Sequence, residues 1–197
     1  MNLANKLTMF RVVLVPFFLA AMSIPEIPAR FLWALIIFIS ASVTDMLDGK
    51  IARKYNMVTN FGKFLDPLAD KILVAAALIC FAELGWTRAW TVAVIMMREF
   101  TVSGVRLAAV SSDKKAVIPA NIWGKLKTAF TMIAVIAILF MYILADFGVI
   151  YDGAGQQGMF FPIVLISDIL MYITLALTVI SGVKYIYDYR SFIDPKK

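Results

Sequence analysis

The sequence predicts an all-α, polytopic integral membrane protein with six transmembrane helices and both termini in the cytoplasm. Three observations predict it. Charged residues make up 16% of the 197-residue chain and hydrophobic residues 62%, where soluble domains carry about 25% charge; the mean hydropathy is +0.86. Apolar runs long enough to cross a hydrocarbon core of about 30 Å recur along the chain. Basic residues gather in alternate loops. In lipid the backbone must pair its own polar groups, which leaves helices or closed barrels, and the two-residue alternation of a barrel is absent.

The first helix is expected over about residues 7–22, continuing from a short interfacial helix, until the two prolines of "SIPEIPAR" break it. Only Lys6 and Arg11 charge this region and no clear small-residue cleavage site follows, so it reads as a retained helix. The second runs over about 31–53, and "YNMVTN" makes a polar turn. The third covers about 62–81, followed by the short connection "ELGWTR". The fourth covers about 89–110 before "SSDKKAVIPAN", and the fifth about 122–145 before the Gly-rich loop "DFGVIYDGAGQQG". The sixth covers about 159–187 and leads into a charged tail. Residues 1–197 thus form a single membrane domain.

Loop charge orients the layout. Lys6, Arg11, Lys50, Arg53, Lys54, Lys63, Lys114, Lys115, Lys125, Lys127, Lys184, Arg190, Lys196 and Lys197 fall on one side, fourteen of the nineteen basic residues. The opposite loops hold only Arg30 and Arg88. The positive-inside rule places the basic side in the cytoplasm. The net charge of +6 follows from this bias and from an anionic lipid surface, so no nucleic-acid partner is expected. The lone cysteine, Cys80, excludes an intrachain disulfide. With no histidine, acid–base chemistry falls to Asp, Glu, Lys, Tyr or that cysteine. Trp86, Trp90, Tyr185, Tyr187 and Tyr189 stand at span ends, where interfacial aromatic belts form.

The stretch "DMLDGKIARKYNMVTNFGKFLDPLAD" places Asp45, Asp48, Asp66 and Asp70 within this apolar chain. At about 100° per residue, Asp45, Asp48, Gly49, Ala52 and Arg53 share one helix face, and Gly62, Asp66 and Asp70 step by four along the next. A tight turn between antiparallel neighbours would let the two aspartate faces meet. A charge at mid-membrane costs about 2.5–3.5 kcal/mol, so four carboxylates need compensation. Protonation, pairing with Lys50, Arg53, Lys63 and Lys71, or a divalent metal pair would supply it. The metal pair fits the geometry best, and all-oxygen ligands favour Mg²⁺ or Mn²⁺. Two metals bridged by carboxylates form the clamp used in phosphoryl displacement. Gly49, Ala52 and Gly62 leave room for a ligand or a facing backbone.

The spacing Asp45-x2-Asp48-Gly49-x2-Ala52-Arg53-x8-Gly62-x3-Asp66-x3-Asp70 resembles the signature of the CDP-alcohol phosphotransferase family, with every position filled. The resemblance implies transfer of a phosphatidyl or similar group from a CDP-linked donor to an alcohol, with release of CMP. It implies that Asp45, Asp48, Asp66 and Asp70 hold two metal ions and that Asp70 is also the general base. It implies that Gly49 and Arg53 contact the CDP moiety and that Thr59 binds the donor. "NKLTMFR" resembles the family's N-terminal segment, in which Thr8 and Arg11 approach the donor; an interfacial helix face is the other account of those two. The resemblance also implies a homodimer.

A second polar cluster bears on the acceptor. "MMREFTVSGVRLA" carries Arg98, Glu99 and Arg106 within a span, and "WGKLKTAF" carries Lys125, Lys127 and Thr128 at the cytoplasmic start of the next. Arg106, Lys125 and Lys127 suit a basic pocket facing the aspartates, which a neutral alcohol would not need. Arg and Lys pair with phosphate oxygens. This pattern is similar to that of family members whose acceptor is sn-glycerol 3-phosphate and whose donor is CDP-diacylglycerol. Arg98 has the alternative of pairing with Glu99 or Asp70, and Lys125 and Lys127 that of anchoring the cytoplasmic side. Asp168, mid-span beside Ser167, suits a hydrogen bond to a neighbouring helix or a partner subunit. The expected site is at the cytoplasmic face of the inner membrane. Other acceptors (inositol phosphate, serine, phosphatidylglycerol) remain open. So does a divalent-cation transporter, although the motif lies at one membrane side and no inverted repeat is visible.

Overall fold

The structure, a computed structural model, describes the backbone of residues 3–54, 60–111, 122–151, 159–160 and 162–193, and side chains over 8–44, 71–105, 122–150 and 162–188. Six helices follow in order: α1 (Leu3–Ser23), α2 (Arg30–Lys54), α3 (Asn60–Glu83), α4 (Ala89–Ser111), α5 (Ile122–Asp146) and α6 (Ile163–Ile193). The single departure from an all-helical layout among the described residues is a parallel bridge, β1 (Ile150–Tyr151) to β2 (Met159–Phe160), with Ile150 opposite Met159. It falls where a Gly-rich loop is expected, and it moves the start of α6 to Ile163, just past Pro162.

The chain divides into two compact units, residues 1–84 with 135–163 and residues 85–134 with 164–197. In the first, α1 packs against both α2 and α3. Phe18, Ala34, Phe38, Ala41, Ala77, Leu78 and Phe81 are fully enclosed, with the Phe18 and Phe38 rings tilted at 6.2 Å. Phe31 meets Tyr142 edge-on at 6.2 Å, and the Arg30 guanidinium lies 4.4 Å over the Phe31 ring. α5 ends in a glycine cap. The Val149 N–H donates to Leu144 O at 2.9 Å and the Gly148 N–H to Ala145 O at 3.0 Å, with Gly148 at φ 70°, the paired bonds of a Schellman motif. A Cβ at Gly148 would meet nothing within 4 Å, so only the left-handed backbone resists a side chain there. Gly148→Ala is therefore expected to lower stability by about 1–2 kcal/mol, read as an earlier thermal unfolding midpoint in detergent at unchanged KM values.

In the second unit α6 turns a hydroxyl stripe inward. Ser167, Met171, Thr174, Thr178, Ser181 and Tyr185 are buried, while Leu165, Ile169, Ile173, Val179, Ile180, Val183 and Ile186 are exposed. Three of its hydroxyls bond back to their own helix, which suits an apolar surrounding: Thr174 to Leu170 O at 2.9 Å, Thr178 to Thr174 O at 2.7 Å and Ser181 to Thr178 O at 3.2 Å. Polar-in, apolar-out is the inverse of a soluble helix and suits lipid. α5 and α6 are each long and apolar enough to cross a membrane; within α1 and α2 the apolar stretches Thr8–Ser23 and Arg30–Thr44 are shorter.

Two aromatics expected at interfaces point inward instead. Trp86 and Tyr185 are buried, whereas Trp90 and Tyr187 are exposed, and Trp90 stacks on Tyr172 at 6.0 Å. Asp168 has a buried Oδ1 with no hydrogen-bond partner among the described residues.

Candidate active site

The first candidate residues lie on α1. Thr8 and Arg11 are three residues apart on one face, and both are buried, at 1% and 3% exposure. Phe10, Val13 and Phe17 on the same helix are exposed. A helix lying in the interface would wet its arginine; here the arginine faces protein and the phenylalanines face outward. A buried arginine in an apolar helix is costly unless it serves an anion or a partner, and this helix packs on the two that carry the aspartates.

α2 stays helical to Lys54, so Asp45, Asp48, Gly49, Ala52 and Arg53 occupy its last turns at helical spacing. α3 is helical from Asn60, so Gly62, Asp66 and Asp70 step along its first turns. The side chains of all these residues lie outside the described set, as does Thr59 altogether. The backbone supports the shared faces read from the spacing: neither helix is interrupted within its motif. Four carboxylates and no nitrogen or sulfur donor in the motif fit hard divalent cations such as Mg²⁺ and Mn²⁺.

The second polar cluster lies within the second unit, where α4, α5 and α6 contribute. Lys127 Nζ donates to Glu99 Oε1, and Arg98 Nη1 donates to the same oxygen at 3.1 Å. Arg98 Nη2 donates to Ser181 Oγ at 2.8 Å. The Lys127 side chain is 6% exposed and that of Arg98 13%. Arg98 Nε is buried with no hydrogen-bond partner among the described residues. Two cations from two helices thus share one carboxylate oxygen in a largely buried setting. Lys125 is exposed, two residues from Lys127 and on a different face of α5. Arg106 lies on α4; its side chain is outside the described set.

Sequence reasoning missed Ser181 and Gly182. A Cβ at Gly182 would sit 3.0 Å from Arg98 Cγ, so the glycine lets the arginine stem lie against α6. The available signal was the hydroxyl spacing at 167, 174, 178 and 181, which marks an inward face on α6.

The chain matches a family model described as CDP-alcohol phosphatidyltransferase over residues 1–180. It is 40% identical over 195 residues to the CDP-diacylglycerol–glycerol-3-phosphate 3-phosphatidyltransferase of Bacillus subtilis, covering 93% of each chain. It is 38% identical over 192 residues to a probable phosphatidylglycerophosphate synthase of Mycobacterium tuberculosis, covering 94% of this chain and 80% of that one. A CDP-diacylglycerol–glycerol-3-phosphate 3-phosphatidyltransferase of Rickettsia felis is 37% identical over 186 residues, with 93% of each chain covered.

Proposed function

Because the chain belongs to the CDP-alcohol phosphatidyltransferase family, we propose that it transfers a phosphatidyl group from CDP-diacylglycerol to sn-glycerol 3-phosphate, giving phosphatidylglycerophosphate and CMP. Relatives bearing that activity in their names match over more than nine-tenths of the chain. The structural observation that favours a phosphorylated acceptor is the buried Lys127 beside Arg98, since a neutral alcohol gives no reason to enclose two cations.

In this reading Asp70 removes the proton from the acceptor's free hydroxyl. The acceptor oxygen then forms a bond to the phosphatidyl phosphorus, the phosphoanhydride bond to CMP breaks, and CMP leaves. Asp45, Asp48, Asp66 and Asp70 would hold two divalent ions, Mg²⁺ or Mn²⁺. When bound, these supply neutralisation of the pyrophosphate and of the charge on departing CMP. Thr8, Arg11, Gly49, Arg53 and Thr59 bind the CDP moiety. Arg98, Arg106 and Lys127 bind the acceptor phosphate, Arg through paired donors and Lys as a point charge, while Lys125, exposed on another face of α5, fits its alternative role as a cytoplasmic anchor.

Residues 1–197 act as one membrane domain of six spans with cytoplasmic termini, in the inner membrane, working as a homodimer with the site open to the cytoplasm. The one-sided loop charge and the exposed apolar faces of α1 and α6 support the placement. Water-soluble acceptor and CMP then exchange with the cytoplasm while acyl chains stay in lipid. The test is CMP release from CDP-diacylglycerol with glycerol 3-phosphate, inositol phosphate, serine or phosphatidylglycerol offered separately. Metal-dependent release is expected with glycerol 3-phosphate. Release with another alcohol in its place removes the acceptor assignment.

A further inference from the structure

We propose that Glu99, together with Ser181, is a positioning pair for the acceptor phosphate, holding Lys127 and Arg98 aimed before substrate arrives. The inference rests on the proposed acceptor-phosphate role of those two cations and adds to it residues that need not touch substrate.

The geometry points this way on three counts. First, one carboxylate oxygen serves two cations from two helices: Lys127 on α5 and Arg98 on α4 both donate to Glu99 Oε1. An amine on a flexible four-carbon stem has no preferred direction by itself; a shared acceptor gives it one. Second, Arg98 is fixed at its other end. Its Nη2 donates to Ser181, and its stem lies against Gly182, where a Cβ would come within 3.0 Å of Arg98 Cγ. Third, the arrangement leaves donor capacity over. Arg98 Nε is buried with no hydrogen-bond partner among the described residues. A buried N–H without an acceptor is costly, and an incoming phosphate oxygen would satisfy it.

Glu99→Gln keeps the shape and one acceptor oxygen but removes the charge. With the full-length protein in detergent micelles, it is expected to raise the acceptor KM by about tenfold or more, with donor KM and kcat changing far less. Inhibition by inorganic phosphate, competing with glycerol 3-phosphate, should weaken in parallel. Glu99→Asp, which keeps the charge on a stem one methylene shorter, should restore part of the loss. A purely structural ion pair would instead lower the melting midpoint and the active fraction, leaving acceptor KM and phosphate inhibition alone. An unchanged or lowered acceptor KM in folded Glu99→Gln overturns the inference. Lys127→Ala separates the two readings. If it leaves the acceptor KM unchanged, the acceptor-phosphate role itself has failed; if it raises the KM while Glu99→Gln does not, only the positioning role has. Should Glu99→Gln not fold, Ser181→Ala and Gly182→Ala disturb Arg98 from its other side. Each is expected to raise the acceptor KM about two- to fivefold at constant donor KM, and no change in either overturns the inference.

Discussion

Asp70→Asn is expected to abolish turnover while leaving donor binding largely intact. Asn keeps the size of the side chain and one oxygen that can still face a cation, but it cannot accept a proton at neutral pH. Loss of a general base alone costs about 10²- to 10⁴-fold in rate, and weakened charge at the metal pair adds to that. The position suits a residue with two tasks. Asp70 is the last aspartate along α3, one helical turn beyond Asp66 and farther from the start of that helix. The two measurements that separate its tasks are CMP release and equilibrium binding of CDP-diacylglycerol. A rate near that of the unchanged protein removes Asp70 as the base. A lost rate accompanied by lost donor binding makes it a metal ligand whose absence empties the donor site. Asp45→Asn serves as the contrast, since it removes a ligand without touching the proposed base.

What the sequence made legible was whatever depends on local spacing. The helix ends were readable within a few residues because their causes are local: Pro25 and Pro28 close α1, and Gly85 and Gly148 sit at positive φ just past α3 and α5. The helices that carry Asp45, Asp48, Asp66 and Asp70 were readable for the same reason. What depends on another part of the chain was not readable. The start of α6 falls at Ile163 because Met159 and Phe160 pair with Ile150 and Tyr151, a contact no local pattern announces. Trp86 and Tyr185 look from sequence like Trp90 and Tyr187, because an amphipathic ring near a span end suits an interface or a core equally. Arg98 could be seen to have Glu99 beside it, but not Ser181 on another helix. Burial of Lys127 and exposure of Lys125 likewise follow from which face of α5 turns inward, and a short basic run does not reveal that.

Removing divalent metal is expected to reduce turnover to background, and re-addition of Mg²⁺ or Mn²⁺ to restore it. The reasoning starts from charge. Four aspartates on two helix faces in an apolar chain repel one another, and each is costly in low dielectric. Two divalent ions held by Asp45, Asp48, Asp66 and Asp70 would bring four positive charges to four negative ones, and hard cations favour the oxygens of a pyrophosphate. Without the ions, the carboxylates would face a pyrophosphate of the same sign, so the donor itself should bind poorly. Chelation is therefore expected to weaken CDP-diacylglycerol binding as well as to stop CMP release, unlike Asp70→Asn, which should do only the second. Single replacements of Asp45, Asp48 or Asp66 by Asn should raise the metal concentration for half-activation by about tenfold or more, with partial recovery at high Mg²⁺ or Mn²⁺. If the carboxylates were instead balanced by Lys50, Arg53, Lys63 and Lys71, chelation would leave both binding and turnover unchanged, and the half-activation concentration would have no meaning. Titrating metal against the unchanged protein and the three variants decides between a metal centre and a salt-bridged helix pair.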